Sequence, residues 1–231
     1  MATRPVFIPR TDNARLVDEI SVDFQWSPGF APVQKKKNIR ALHEAAYHLG
    51  YENLLEVSTK SEEKIGVHLS AFNLRVLVPE IGDIPLENAY QGSKVFLRGG
   101  PFNDLYKTNP REAKKDPRLK GSGPLSSFRF DGELWTLEPK TAFYDWLYIR
   151  SIYPHREYLE RLCHFGGFTD IEFNPSKSLN CQARSCAIFV SLMKKGILSE
   201  AVENRETFIS ILRPDSFAQP HSQSLRQGTL L

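Results

Sequence analysis

The sequence predicts an α+β fold: a single, predominantly α-helical domain with a small N-terminal β element and one short hairpin. Three observations carry this expectation. Ile20, Val22, Phe24 and Trp26 alternate, which is the period of a strand. Ile39, Leu42, Ala46 and Leu49 recur at helical spacing until Gly50 ends the run. Asp131-Gly132, set between Phe128-Arg129-Phe130 and Leu134-Trp135-Thr136, is a two-residue hairpin signal. At 231 residues the chain suits one domain with extensions, long enough to bury a substantial core.

Composition bounds the functional classes. With 41% hydrophobic and 25% charged residues the chain has the balance of an ordinary globular protein. Its fifteen phenylalanines and eight tyrosines suit a pocket that stacks rings. A net charge of +3 is too small to argue nucleic-acid binding by itself, so local clusters matter more. Cys163, Cys181 and Cys186 are odd in number and lack Cys-x-x-Cys spacing, which argues against a disulfide framework or zinc ribbon. Met1 to Arg10 lacks the apolar run of a secretion signal, and no stretch approaches the eighteen or so apolar residues of a membrane span. A cytoplasmic protein is expected, with no membrane partner.

In chain order, residues 1–53 read as an N-terminal extension of strand, hairpin and helix packed on the main domain. Residues 54–213 form that domain, and 214–231, dominated by Pro, Ser and Gln, read as a flexible tail. Leu54 to Thr59 is a strand entering the polar turn Ser58-Thr59-Lys60-Ser61. Hydroxyls, a lysine and turn N–H groups can hold a phosphate there; a helix cap by Ser58 or Ser61 reads equally well. Phe72 suits a core or a stacking platform, and Asn73 offers a donor and an acceptor to a ribose hydroxyl. From Lys107 to Lys120 cations dominate, as a surface loop or as a cradle for a polyanion. Thr141 to Tyr153 is an aromatic-dense helix containing Asp145, which if buried needs a partner in an ion pair or a substrate. Glu157 to Phe165, Ala183 to Leu198 and Ala201 to Leu212 read as further helices, with Gly166-Gly167 and Gly196 as punctuation. His155, His164 and Cys163 match no standard zinc spacing, so no metal ligands are assigned.

The stretch that organises the chain is Pro85 to Tyr106. It reads as a helix begun by Pro85 and stopped by Gly99-Gly100-Pro101, with Leu86, Ala89, Tyr90, Ser93 and Leu97 facing a core. Glu87, Gln91 and Lys94 share the neighbouring stripe. Glu87 and Lys94 would then stand two turns apart, roughly 10 Å along the axis, suited to gripping opposite ends of a small ligand. Their plainer reading is an acid at a helix start and a solvated cation.

Three blocks in order resemble the signatures of the NADAR (YbiA-like) family: Leu69-Ser70-Ala71-Phe72-Asn73-Leu74, then Leu86 to Phe96, then Asn109-Pro110-Arg111-Glu112-Ala113-Lys114. Glu56 to Ser61, Gln91 to Pro101 and Phe143-Tyr144-Asp145-Trp146-Leu147-Tyr148 resemble the subgroup of NADAR antitoxins paired with DarT-type toxins. Two departures stand out. Asn88 replaces the family's histidine after the helix glutamate, and no clean Gly-x-Asn-x-Leu-Gly block occurs between Cys181 and Met193.

The resemblance implies removal of ADP-ribose from guanine bases modified by a DarT-type toxin. Its substrate would be ADP-ribosylated single-stranded DNA and its product ADP-ribose, with no cofactor. Lys94 would be the amine of a Schiff-base intermediate, Glu87 the carboxylate that stabilises the sugar cation or moves protons, and Asp104 a second carboxylate. Arg111 and Lys114 would hold the diphosphate, while Tyr90, Phe72 or Trp135 would stack a base. Ser58, Thr59, Lys60, Asn73, Gln91 and Asp145 complete the expected contacts. Two alternatives stand beside this: an N-glycosidase acting on a phosphorylated riboflavin-pathway intermediate, and a non-catalytic ADP-ribose or nucleic-acid binding module.

Overall fold

The computed structural model describes residues 1–12, 15–203 and 205–212. The tail expected over 214–231 lies outside the described residues.

Strands β1 (Ala2–Pro9) and β2 (Val17–Phe24) pair antiparallel, from Ala2 opposite Phe24 to Pro9 opposite Val17. The alternation read from the sequence sends Val22 and Phe24 inward, against helix α1 (Pro32–His48). That helix begins at a proline, whose missing N–H costs nothing in a first turn. Its buried Asn38 clamps the preceding loop, accepting from Ser27 N at 2.7 Å and donating to Ser27 O at 2.9 Å. Ile39, Leu42 and Ala46 are buried as their spacing requires, whereas Leu49 lies beyond the helix and is exposed.

Strand β3 (Leu54–Glu56) runs parallel to β9 (Gly167–Thr169), and β9 pairs antiparallel with β1, giving a four-stranded sheet in the order β2-β1-β9-β3. The N-terminal hairpin is thus hydrogen bonded into the same sheet as β3. Of the expected punctuation Gly166-Gly167, Gly166 is the bend and Gly167 opens β9. A Cβ on Gly167 would stand 2.7 Å from Ile8 Cδ1, 2.9 Å from Leu54 Cδ2 and 3.1 Å from Phe7 O, so glycine lets the strand sit close against its neighbours.

Next come helix α2 (Lys64–His68) and a hairpin of β4 (Arg75–Val78) and β5 (Gly82–Pro85). Helix α3 (Leu86–Gly92) follows, then strand β6 (Lys94–Phe96). A 3₁₀ turn at Asn103–Lys107 leads to the short helices α4 (Pro110–Lys115) and α5 (Arg118–Gly121). Strands β7 (Leu125–Phe130) and β8 (Glu133–Trp135) form the expected hairpin, with Asp131 and Gly132 both at positive φ as that turn demands. Helices α6 (Ala142–Ile152), α7 (Arg156–Leu159), α8 (Gln182–Lys194), α9 (Leu198–Glu203) and α10 (Arg205–Ile211) make up the rest.

The fold is α+β, about 44% helix and 21% strand, and thus mixed rather than predominantly helical. Its centre is α8, buried from Gln182 to Leu192. That helix packs on β1 and β9 on one side and on α6 on the other. Helix α3 lies against α6, which presents Phe143, Trp146 and Leu147 to the core.

Candidate functional site

The central helix ends earlier than its sequence period implies. It stops at Gly92, not at Gly99-Gly100-Pro101, and Leu97 is exposed rather than core-facing. A Cβ at Gly92 would stand 2.5 Å from Tyr106 Cε1, so the helix end is pressed onto the Asn103–Lys107 turn. Ser93 Oγ donates to Ala89 O at 2.6 Å and closes the last turn. Lys94 to Phe96 then pair with β7, Lys94 opposite Phe128, and this ladder replaces further helix.

Lys94 is therefore carried by a strand, yet its side chain folds back onto the helix. Its Nζ donates to Gln91 Oε1 at 2.8 Å, and Gln91 Nε2 donates to Glu87 Oε1 at 2.8 Å. The amide of Gln91 thus couples the amine to the acid, and its role is that of a bridge. Lys94 Nζ also stands 4.7 Å from the centre of the Tyr90 ring, a cation–π contact. Burial pushes the Lys94 ammonium down to about 8, with Glu87 opposing the drop and Lys114 adding to it.

Glu87 opens onto a cavity of about 300 Å³ whose walls include Ser58, Thr59, Ser70, Lys114 and Asp170. Phe72 and Tyr144 contribute aromatic surface, and Lys114 Nζ stands 5.4 Å over the Phe72 ring. Ser58 and Thr59 are in the cavity wall because β3 ends at Glu56 and the turn exits there. Ser58 is not a helix cap: its Oγ donates to buried Glu56 at 2.6 Å and receives Lys60 N at 3.2 Å. Lys60 and Arg111 do not line the cavity; Arg111 is exposed on α4, near Lys114.

Four expected contacts fall elsewhere. Trp135 is 1% exposed and packs among Phe143, Trp146 and Phe208, so no base can reach its face. Asp145 is fully buried in an ion pair with Arg184, and receives Ser185 Oγ at 2.7 Å and Thr141 Oγ1 at 2.8 Å. It is a structural anchor between α6 and α8, because a buried carboxylate needs its charge and lone pairs satisfied. Asp104 lies on the surface, paired to Arg118 at 2.6 Å and outside the Glu87 cavity. Asn73 donates to Val67 O at 2.7 Å and faces a different, larger groove of about 740 Å³ between β4 and the Tyr153–Leu159 segment. That groove lies away from Glu87, which lines the smaller cavity; Lys94 lines neither.

Sequence reasoning missed Asp170. It follows β9 directly, receives Glu172 N at 3.0 Å and Phe173 N at 3.2 Å, and lines the cavity that holds Glu87. Burial raises its carboxyl well above the ordinary range and also raises that of neighbouring Glu56. Glu56 accepts from Ser58, from Thr169 Oγ1 at 2.7 Å and from Ile171 N at 2.9 Å. The only hint in the sequence was an acid after an apolar run, Phe168-Thr169-Asp170. Ser70 also belongs to the cavity wall, where its Oγ is buried with no hydrogen-bond partner among the described residues.

Around the hollow stand Glu87, a second acid, a cation and hydroxyls, and the desolvated Lys94 amine is tied to Glu87 through one amide from outside the lining. Among the described residues no helix is long and apolar enough to cross a membrane. No curated protein matches the chain. Compared with known families, residues 2–222 match the DarT1-associated NADAR antitoxins. With the match spanning nearly all of its length, the chain belongs to the DarT1-associated NADAR antitoxin family.

Proposed function

We propose that this antitoxin is a DNA ADP-ribosyl glycohydrolase that removes ADP-ribose from guanine bases modified by its DarT-type toxin. The observation that carries the reading is the Glu87–Gln91–Lys94 chain beside a cavity, with the amine pushed down to about 8. At pH 7 about one Lys94 in ten is then neutral, against about one in a few thousand for a lysine in water. A neutral amine is what nucleophilic attack on a sugar carbon requires.

The steps balance as follows. The bond between the ribose anomeric carbon and the guanine nitrogen breaks, and positive charge grows on the sugar, facing Glu87. The Lys94 amine bonds to that carbon and gives up a proton, while the guanine nitrogen gains one. Ring opening moves the electron pair of the carbon–oxygen bond to the ring oxygen, which takes a proton, and leaves a Schiff base on Lys94. Water adds to the carbon–nitrogen double bond and frees ADP-ribose and the amine. Lys114 and the hydroxyls of Ser58, Thr59 and Ser70 suit the diphosphate and ribose.

The test is incubation of guanine-ADP-ribosylated single-stranded DNA with the protein and with Lys94→Ala. Release of ADP-ribose by the first and loss of about a thousandfold or more in the second is expected, in the range seen when a nucleophile is removed. Borohydride should trap a covalent adduct on Lys94. Tight binding without release would instead make this a reader of ADP-ribose.

A further inference from the structure

A second hollow of about 490 Å³ adjoins the first, and the two share Tyr144, Lys177, Ser178 and Asn180. Its floor is aromatic. Tyr90, Phe128 and Phe143 lie there, with Phe128 and Phe143 stacked at 4.6 Å and 28° and Tyr90 and Phe143 at 6.2 Å and 23°. Leu137 and Leu179 form an apolar rim and are 37% and 52% exposed. Lys140 and Lys177 stand at the mouth, with Glu138 as the one acid in the lining.

Resting on the glycohydrolase reading above, we infer that this aromatic hollow receives the nucleobase of the modified nucleotide, swung out of its strand. The first cavity then takes the ADP-ribose. The argument is geometric. Glu87 lines the first cavity and Tyr90 the second, one helical turn apart on α3; Lys94 lines neither, but its Nζ lies 4.7 Å from the Tyr90 ring centre and is tied to Glu87 through Gln91. With Glu87 on one side and Tyr90 on the other, a bond within reach of Glu87 at the shared wall would put the two fragments it joins in opposite hollows.

The chemistry of the walls decides which fragment goes where. The hydroxyls and Lys114 of the first cavity suit a diphosphate and a sugar. Phe128 and Phe143 are buried and back the hollow, while the half-buried rings of Tyr90 and Tyr144 beneath an apolar rim suit an uncharged flat base, which gains by leaving water. Asn180 lies at the junction and donates its Nδ2 to Tyr90 Oη at 2.5 Å, which leaves its carboxamide oxygen as an acceptor for a base N–H. The two lysines at the mouth complement the phosphates flanking a flipped nucleotide.

The test uses the full chain with Leu137→Ala/Leu179→Ala and, separately, Lys140→Glu, all at exposed positions. Binding of a guanine-ADP-ribosylated oligonucleotide is measured by fluorescence anisotropy, binding of free ADP-ribose by calorimetry, and release of ADP-ribose by chromatography. The double variant should weaken oligonucleotide binding about five- to thirtyfold, the scale of losing part of one stacked base, and leave free ADP-ribose within twofold. Lys140→Glu should weaken the oligonucleotide and flatten its salt dependence, again sparing ADP-ribose. Equal weakening of ADP-ribose would overturn the assignment and place the adenine end in this hollow. Unchanged oligonucleotide binding in both variants, with normal release, would also overturn it while leaving the glycohydrolase reading intact. Absence of both binding and release in the unsubstituted protein would overturn the two together.

Discussion

Replacing Glu87 with Gln should make Lys94 easier to deprotonate. Two hydrogen bonds of 2.8 Å joined through one amide separate the acid and the amine by roughly 7 Å, a distance at which an effective dielectric near 20 gives about 2 kcal/mol. Glu87 is half-buried, and screening by water reduces this to about 1 kcal/mol. Loss of that attraction should move the Lys94 midpoint from about 8 to lower pH by somewhat less than one pH unit. Lys114→Ala should act in the opposite direction, because its charge helps depress Lys94. The assay is competitive acylation across pH 5 to 11 with mass-spectrometric readout of the Lys94 peptide, which reports the amine without requiring turnover. An unsubstituted midpoint near that of a free lysine, or an upward displacement in Glu87→Gln, would refute a desolvated amine coupled to this acid.

Three further outcomes test the framework. Asp145→Ala removes the carboxylate that pairs with buried Arg184 and should cost about 3–5 kcal/mol of stability in urea unfolding. Gly92→Ala drives a methyl group to 2.5 Å from the Tyr106 ring and should cost about 1–3 kcal/mol by the same measurement. The raised carboxyls of Glu56 and Asp170 bind protons more tightly folded than unfolded. Their contribution is fully present below the ordinary carboxylate range near pH 4 and is lost as pH rises toward and past neutrality. Glu56→Gln should therefore flatten the decline in melting temperature between about pH 5 and 8; an undiminished slope would assign that decline to other groups.

The organisation of the site is partly legible in the sequence. Helical spacing puts Glu87 and Gln91 on one stripe, and in the structure they are hydrogen bonded one turn apart. Spacing groups Lys94 with them only if the helix continues past Gly92. It joins them through the reach of a long side chain leaving a strand, a coincidence of position that periodicity could not supply. Trp135 and Asp104 went astray for a common reason: residue type suggests an interaction but does not tell whether the side chain is inside or in water.

Local pattern was enough, by itself, for the N-terminal hairpin, helix α1, the Asp131-Gly132 turn and the aromatic helix α6, because each is specified by neighbours a few residues away. Only the tertiary structure decided the end of α3, the three-residue strands β6 and β9, and the placing of Asp170 beside Glu87. Three residues are too few to display a period, and the pairings that hold them come from distant parts of the chain. The lowered affinity of Lys94 for its proton likewise arises from the water excluded by packing, a property of the assembled walls.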